Sequence, residues 1–142
     1  MKRYVLTYLL FSSLLSPLSS LHSPLYAQTA RYTAYIEMER AYISGLCLLQ
    51  TENDMTKGCI FNEFGITAVE FTYDQQRQKV KLHRVMDLLD RWYIRKVLKK
   101  DLARLMDNLQ HGEYEYENQK RHIHYRLTPL TNTTEPSDEP EE

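Results

Sequence analysis

In "TAYIEME" apolar and polar residues alternate, which puts Ala34, Ile36 and Met38 on one side of an extended segment and predicts a half-buried β-strand. "YISGLCLLQ" continues without that alternation, and a run apolar on both faces reads as a central strand. "TENDMT" is a polar turn centred on Asn53, and "KGCIFNEF" returns from it, completing a hairpin. Gly65 supplies the positive φ that a second tight reversal needs. "NEFG" therefore leads into "ITAVEFTYD", where Ile66, Ala68, Glu70 and Thr72 alternate with Thr67, Val69, Phe71 and Tyr73. After a turn at "QQRQ", "KVKLHRV" places Val80, Leu82 and Arg84 on one side and Lys79, Lys81, His83 and Val85 on the other.

The period then changes. Ile94, Leu98, Leu102, Leu105 and Leu109 recur at helical spacing beside Val97, while Arg95, Lys96, Lys99, Lys100 and Arg104 fall on the opposite, basic surface. Leu88, Leu89 and Trp92 are out of phase with that stripe and predict a separate turn, with Asp90 as the N-cap of the main helix. Gly112 predicts where the helix stops. "EYEYENQKRHIHYRL" closes the pattern as a hairpin about Asn118 and Gln119, with Tyr114, Tyr116, Ile123, Tyr125 and Leu127 on one face. The expectation is an α+β fold: an antiparallel sheet packed by one main amphipathic helix.

The two ends of the chain fall outside this scheme. Lys2 and Arg3 precede an apolar run broken by Ser and Pro, which reads as a secretory signal over residues 1–27, cut after Ala27. The alternative is an uncleaved anchor, which Pro17 and Pro24 disfavour. No Cys stands at the junction to carry acyl groups, so a soluble exported protein, periplasmic or associated with the outer envelope, is expected. Residues 131–142 lack large apolar side chains and carry five acids, so they predict a disordered acidic tail. Residues 28–130 form the single domain. Removing Lys2 and Arg3 from the 18 bases, and the five tail acids from the 19 acids, leaves 16 against 14, a balance that excludes a dedicated nucleic-acid binder.

Candidate chemistry is sparse. A turn centred on Asn53 sets Cys47 opposite Cys59, as a disulfide in an oxidising compartment or as two small buried residues. The last hairpin sets Glu113 opposite His124 and Glu115 opposite His122, which suits either a zinc site or, more often, a solvated face of cross-strand charge pairs. The basic helix surface with Trp92 and Tyr93 at its start fits peripheral membrane contact, or an ordinary helix whose lysines face water. Asp101 reads as a boundary residue of the helix stripe. No phosphate-binding, nucleophile-elbow or metalloprotease motif is present in the sequence, and the expectation is a non-enzyme with no cofactor.

The strand "ISGLCLL", the corner "NEFGIT" and the basic helix containing "KKDL" occur in that order between Tyr42 and Leu109. In this the chain resembles a group of small uncharacterised exported or lipid-anchored envelope proteins of Gram-negative bacteria. More remotely, by order of elements, it is similar to the LolA and LolB lipoprotein carriers, which curl an antiparallel sheet around a helix and hold acyl chains between the two. LolB is a lipoprotein, and the absent Cys departs from that pattern. The resemblance implies that the antiparallel sheet is curved and half-barrel-like and leaves an apolar groove for a lipid or acyl chain between sheet and helix, with Ile60, Phe61, Phe64, Val69, Phe71, Leu82 and Leu102 as candidate lining. The alternative is a filled core in a structural or interaction protein that docks on another envelope protein through a strand edge or its basic surface.

Overall fold

The computed structural model describes residues 28–131. The expected signal and the acidic tail from residue 132 lie outside the described residues. Strands β1 (Gln28–Met38), β2 (Ala41–Glu52), β3 (Met55–Asn62), β4 (Thr67–Asp74) and β5 (Lys79–Val85) follow one another as hairpins. A 3₁₀ turn (Asp87–Leu89), helix α1 (Trp92–Gln110) and a last hairpin of β6 (Glu115–Asn118) and β7 (Ile123–Pro129) complete the described residues. All seven strands form one antiparallel sheet in the order β5-β4-β3-β2-β1-β7-β6. The last hairpin therefore returns to pair with the first strand. The sheet curls into a half-barrel, and α1 packs across its open side against β5 and β6, the two edge strands. This is the α+β arrangement that the periodicity predicts.

The core lies between the concave face and α1, where Leu98, Leu102, Leu105 and Met106 meet Ile60, Val69, Phe71, Leu82 and Leu127, all buried. Among the described residues only this face is covered. Leu46, on the outer face of β2, is exposed, so β2 is not the strand buried on both sides that its composition suggested. At the centre of the core Gly58 pairs with Phe71, and the phenyl ring lies over the glycine: a Cβ on Gly58 would stand 2.2 Å from Cζ of Phe71. A bare backbone is required there because Phe71 is itself enclosed.

Register decides several side chains. The β2–β3 hairpin turns through Asn53 and Asp54, so Cys47 pairs with Ile60, and Leu48 with Cys59. One residue of slip from a turn centred on Asn53 puts the two sulfurs on opposite faces of the sheet, and both cysteines are free. The expected opposition of Cys47 and Cys59 is thus corrected, and of the two readings the disulfide falls; Cys47 is buried and Cys59 half-buried. Two bulges act in the same way. The shift between Ile60 and Phe61 lets β4 bury Ala68 and Val69 in succession, and the shift between Glu70 and Phe71 turns Val85 inward and leaves Arg84 exposed, the reverse of simple alternation.

At the start of α1 the N-cap position is taken by Arg91, which makes no side-chain cap. Asp90, one residue too early to cap, instead accepts from Nε of Arg95. The other end follows expectation. Gly112, at φ 77°, accompanies hydrogen bonds from its own N–H to Leu109 O and from Glu113 N–H to Asn108 O, which close the last turn.

Candidate functional site

The seven expected lining residues do not form a groove. Ile60, Val69, Phe71, Leu82 and Leu102 are packed core. Phe61 lies half-buried on the outer face of β3, and Phe64 stands exposed in the β3–β4 turn, because the Asn62 carboxamide accepts from the N–H groups of Phe64 and Ile66 and folds that turn tightly away from the sheet. At the C-terminal end of α1 a cleft of about 500 Å³ opens beside Met106, Leu109 and Gln110, with the polar Gln28, Thr51, Thr56 and Gln75 among its lining. Beneath the middle of α1 the space is filled.

It is not filled beneath the first two turns. Along α1, Leu98, Leu102, Leu105 and Met106 are buried, but Ile94 and Val97, on the same stripe, are only half-buried. Facing them are Ile36 and Ile43, cross-strand partners on β1 and β2, and Ile123 and Tyr125 on β7. Val69 and Leu89 close the inner end. Together they enclose an open apolar cleft of about 390 Å³, whose rim carries Glu39, Arg40, Tyr93 and Arg121. Of the expected lining only Val69 belongs to it. The other walls come from β1, β2 and β7, strands brought together because the last hairpin pairs with the first strand. A larger groove of about 770 Å³ runs between α1 and the two edge strands, but Lys79, Lys99, Lys100, Arg104 and Asp107 give it a charged, water-facing lining. The smaller cleft is the one whose chemistry suits an apolar ligand, with two guanidinium groups placed to meet an anionic head.

Asp101 bears on this cleft through Tyr125. Far from being a boundary residue, it is 2 % exposed, at the interface of α1 with the last hairpin. Tyr125 donates its hydroxyl to Oδ2 at 2.7 Å, and Nδ2 of Asn118 donates to both carboxylate oxygens at 2.9 and 3.1 Å. These bonds tie α1 to β6 and β7 and fix the Tyr125 ring as a cleft wall. Burial pushes the Asp101 carboxyl above its ordinary 3.8, and the two donors only partly offset this. Burial and the neighbouring carboxylate likewise push the Tyr125 hydroxyl up, so it keeps its proton and donates.

The consequence for stability has a definite sign. The folded state holds the Asp101 proton more tightly than the unfolded chain, so this group's contribution is fully present below 3.8 and is lost as pH rises through the folded value. Asp101→Asn keeps an acceptor for Tyr125 and removes the titration. In urea unfolding at a series of pH values, the wild type should lose stability relative to Asp101→Asn as pH rises from the ordinary carboxylate range toward neutrality. Parallel curves for the two proteins would contradict this account of the residue.

The histidine and glutamate candidates do not assemble. The β6–β7 loop comprises residues 119–122, longer than a turn at Asn118 and Gln119, so Glu115 pairs with Arg126 and Glu117 with His124. His122 sits in the loop at φ 54°, and Glu113 precedes β6. Glu115 instead accepts from Nε of Arg126 at 2.9 Å, with Nε2 of His124 3.5 Å from its other oxygen: an exposed charge cluster. No group of three or more His, Cys, Asp or Glu side chains that could hold a metal ion occurs among the described residues. Burial pushes the Cys47 thiol up to about 12, which leaves it without thiolate character.

No family model, curated protein or solved structure matches the chain. The functional reading therefore rests on the geometry above. Among the described residues no helix is long and apolar enough to cross a membrane.

The cleft was missed because its walls are separated by most of the sequence, and only Ile94 and Val97 carried a local signal. They lie at the N-terminal end of a stripe whose flanking residues, Trp92 and Tyr93, are apolar as well. Asp101 had a signal of its own: an acid set between Leu98, Leu102 and Leu105 at helical spacing, whose partners Asn118 and Tyr125 lie 17 and 24 residues away.

Proposed function

We propose that this is a non-enzymatic, exported cell-envelope protein that binds one acyl chain, or a comparable apolar ligand, in the cleft between the first turns of α1 and strands β1, β2 and β7. One observation carries the reading: an apolar space of about 390 Å³, open to solvent, with Arg40 and Arg121 at its rim. That is within the range of small-ligand sites, roughly 300–1,000 Å³. The ligand class follows from the walls, which are branched aliphatics with one anchored tyrosine, and from the rim, which offers cations to a carboxylate or phosphate head. This mode of binding is like that of the LolA and LolB carriers, although the site is at one end of the sheet and not beneath the whole helix.

A chain-length series tests the proposal. Each methylene taken out of water contributes about 0.8 kcal/mol, so shortening a saturated fatty acid by two carbons should weaken binding by about tenfold, as long as both chains fit. Isothermal titration of octanoate, decanoate and dodecanoate should also give a negative heat-capacity change. An affinity independent of chain length would reject apolar burial as the basis of binding. The second reading, a structural or interaction component of the envelope, is favoured by the filled core beneath the middle of α1. It predicts no binding by any member of the series.

A further inference from the structure

The antiparallel connections place the β1–β2, β3–β4 and β6–β7 turns, the link from β5 to α1 and the first turn of α1 at one end of the half-barrel. This is the end at which the cleft opens. The six most exposed large hydrophobic side chains among the described residues are Tyr42, Phe64, Ile66, Leu88, Trp92 and Tyr93, and all six are here. They come from three separate segments of the chain. Phe64 is 79 %, Leu88 77 % and Trp92 78 % exposed, whereas no exposed large hydrophobic outside these six exceeds 45 %. Exposed apolar residues scattered singly over a surface need no explanation, but a set gathered at one pole, far beyond the exposure found elsewhere among the described residues, marks a contact surface.

Its chemistry selects the partner. The same connections and the first turns of α1 carry Arg40, Arg91, Arg95, Lys96, Lys120 and Arg121, against Glu39, Glu63, Asp87 and Asp90. From Arg91 to Met106 the one acid is Asp101, which is buried, so the water-facing side of the first turns of α1 is cationic. Trp92 and Tyr93 present amphipathic rings in an edge-to-face pair at 5.9 Å. Aromatic rings and aliphatic tips within a ring of cations match the interface of an anionic bilayer, where the rings settle at the headgroup level and the cations meet phosphate. A second copy of the chain would bring two such cationic collars together.

We infer that this end of the half-barrel is a membrane-docking surface, which seats the molecule on an anionic bilayer through Phe64, Leu88 and Trp92 with the cleft mouth facing the lipid. The orientation deepens the acyl-chain reading and rests on it in one respect: a chain could pass from bilayer to cleft without crossing water. Docking itself does not require that reading.

Trp92 is the sole tryptophan and belongs to the proposed surface, so its fluorescence is the probe. The purified protein is mixed with vesicles of phosphatidylethanolamine and phosphatidylglycerol, and separately with vesicles of phosphatidylcholine alone. On the anionic vesicles the emission should shift to the blue and be quenched by acyl chains brominated near the headgroup. Phosphatidylcholine should produce a much smaller change, and high salt should weaken binding. The pair Phe64→Ser and Leu88→Ser should lower the vesicle-bound fraction by roughly fivefold, with dodecanoate binding unchanged. Unchanged Trp92 emission in the presence of anionic vesicles would overturn the inference. So would vesicle binding with Trp92 unquenched, since another part of the chain would then be responsible. A blue shift that grows with protein concentration in the absence of lipid would assign the surface to self-association instead. Dodecanoate binding with a silent Trp92 sinks docking and leaves the cleft reading standing, and the converse result sinks the cleft reading alone.

Discussion

Val97→Trp should weaken dodecanoate binding by about a hundredfold while the fold remains intact, because it puts an indole where the acyl chain would lie. Val97 is half-buried, on the roof of the cleft opposite Ile43 and Ile123 and outside the packed part of α1. The added ring therefore enters empty space and displaces no core side chain. Its apolar surface is covered in the process, so the thermal midpoint should hold or rise slightly. The expected pair of results is lost binding with retained stability. A variant that binds dodecanoate as the wild type does would place the ligand elsewhere; the charged groove between α1 and the edge strands would then be examined next.

The largest effect on stability is expected from Phe71→Ala, at about 3–5 kcal/mol, the usual range for truncating an enclosed phenylalanine. Phe71 is 1 % exposed and covers the bare backbone of Gly58, so its loss opens a cavity against two strands at once. Gly58→Ala alone should cost about 1–3 kcal/mol by overpacking against the ring. In the Phe71→Ala background the same glycine substitution should cost little, since the ring it would strike is gone. Urea unfolding of the four proteins gives the coupling directly, and the two costs should fail to add by more than about 1 kcal/mol. Additive costs would mean that ring and glycine do not share the contact described.

These two predictions mark where the sequence was legible and where it was not. The alternation in "TAYIEME" and "ITAVEFTYD", the change of period at Ile94 and the stop at Gly112 are local, and they led directly to the sheet, the helix and its end. What they could not supply was register. A one-residue difference at the Asn53 turn separated Cys47 from Cys59, a bulge at β5 exchanged Val85 for Arg84, and a four-residue loop before Ile123 dispersed the His122, His124, Glu113 and Glu115 set. Each is a small shift of the chain that moves a side chain to the other face or off its partner. The site was harder still. Its floor depends on β7 pairing with β1, a contact between segments some 90 residues apart that no window of sequence encodes, and five of the seven residues expected to line a groove fill the core instead.

Asp101 shows how a local rule can mislead in the other direction. A charged residue beside a leucine stripe is commonly a boundary position, yet here the carboxylate is enclosed because Asn118 and Tyr125 supply its hydrogen bonds. The energetic cost of burying it is the reason its titration should be visible in stability, and its grip on Tyr125 is the reason it matters to the cleft.

The central claim is that the apolar space beneath the first turns of α1 accepts a chain. The most direct measurement is an NMR experiment on the protein with ¹³C-labelled dodecanoate, filtered for contacts between ligand and protein protons. The account predicts nuclear Overhauser effects from the ligand methylenes to the methyl groups of Ile43, Val97 and Ile123, with the carboxylate end nearest Arg40 and Arg121. Contacts confined to other parts of the molecule, or none at saturating ligand, would contradict it.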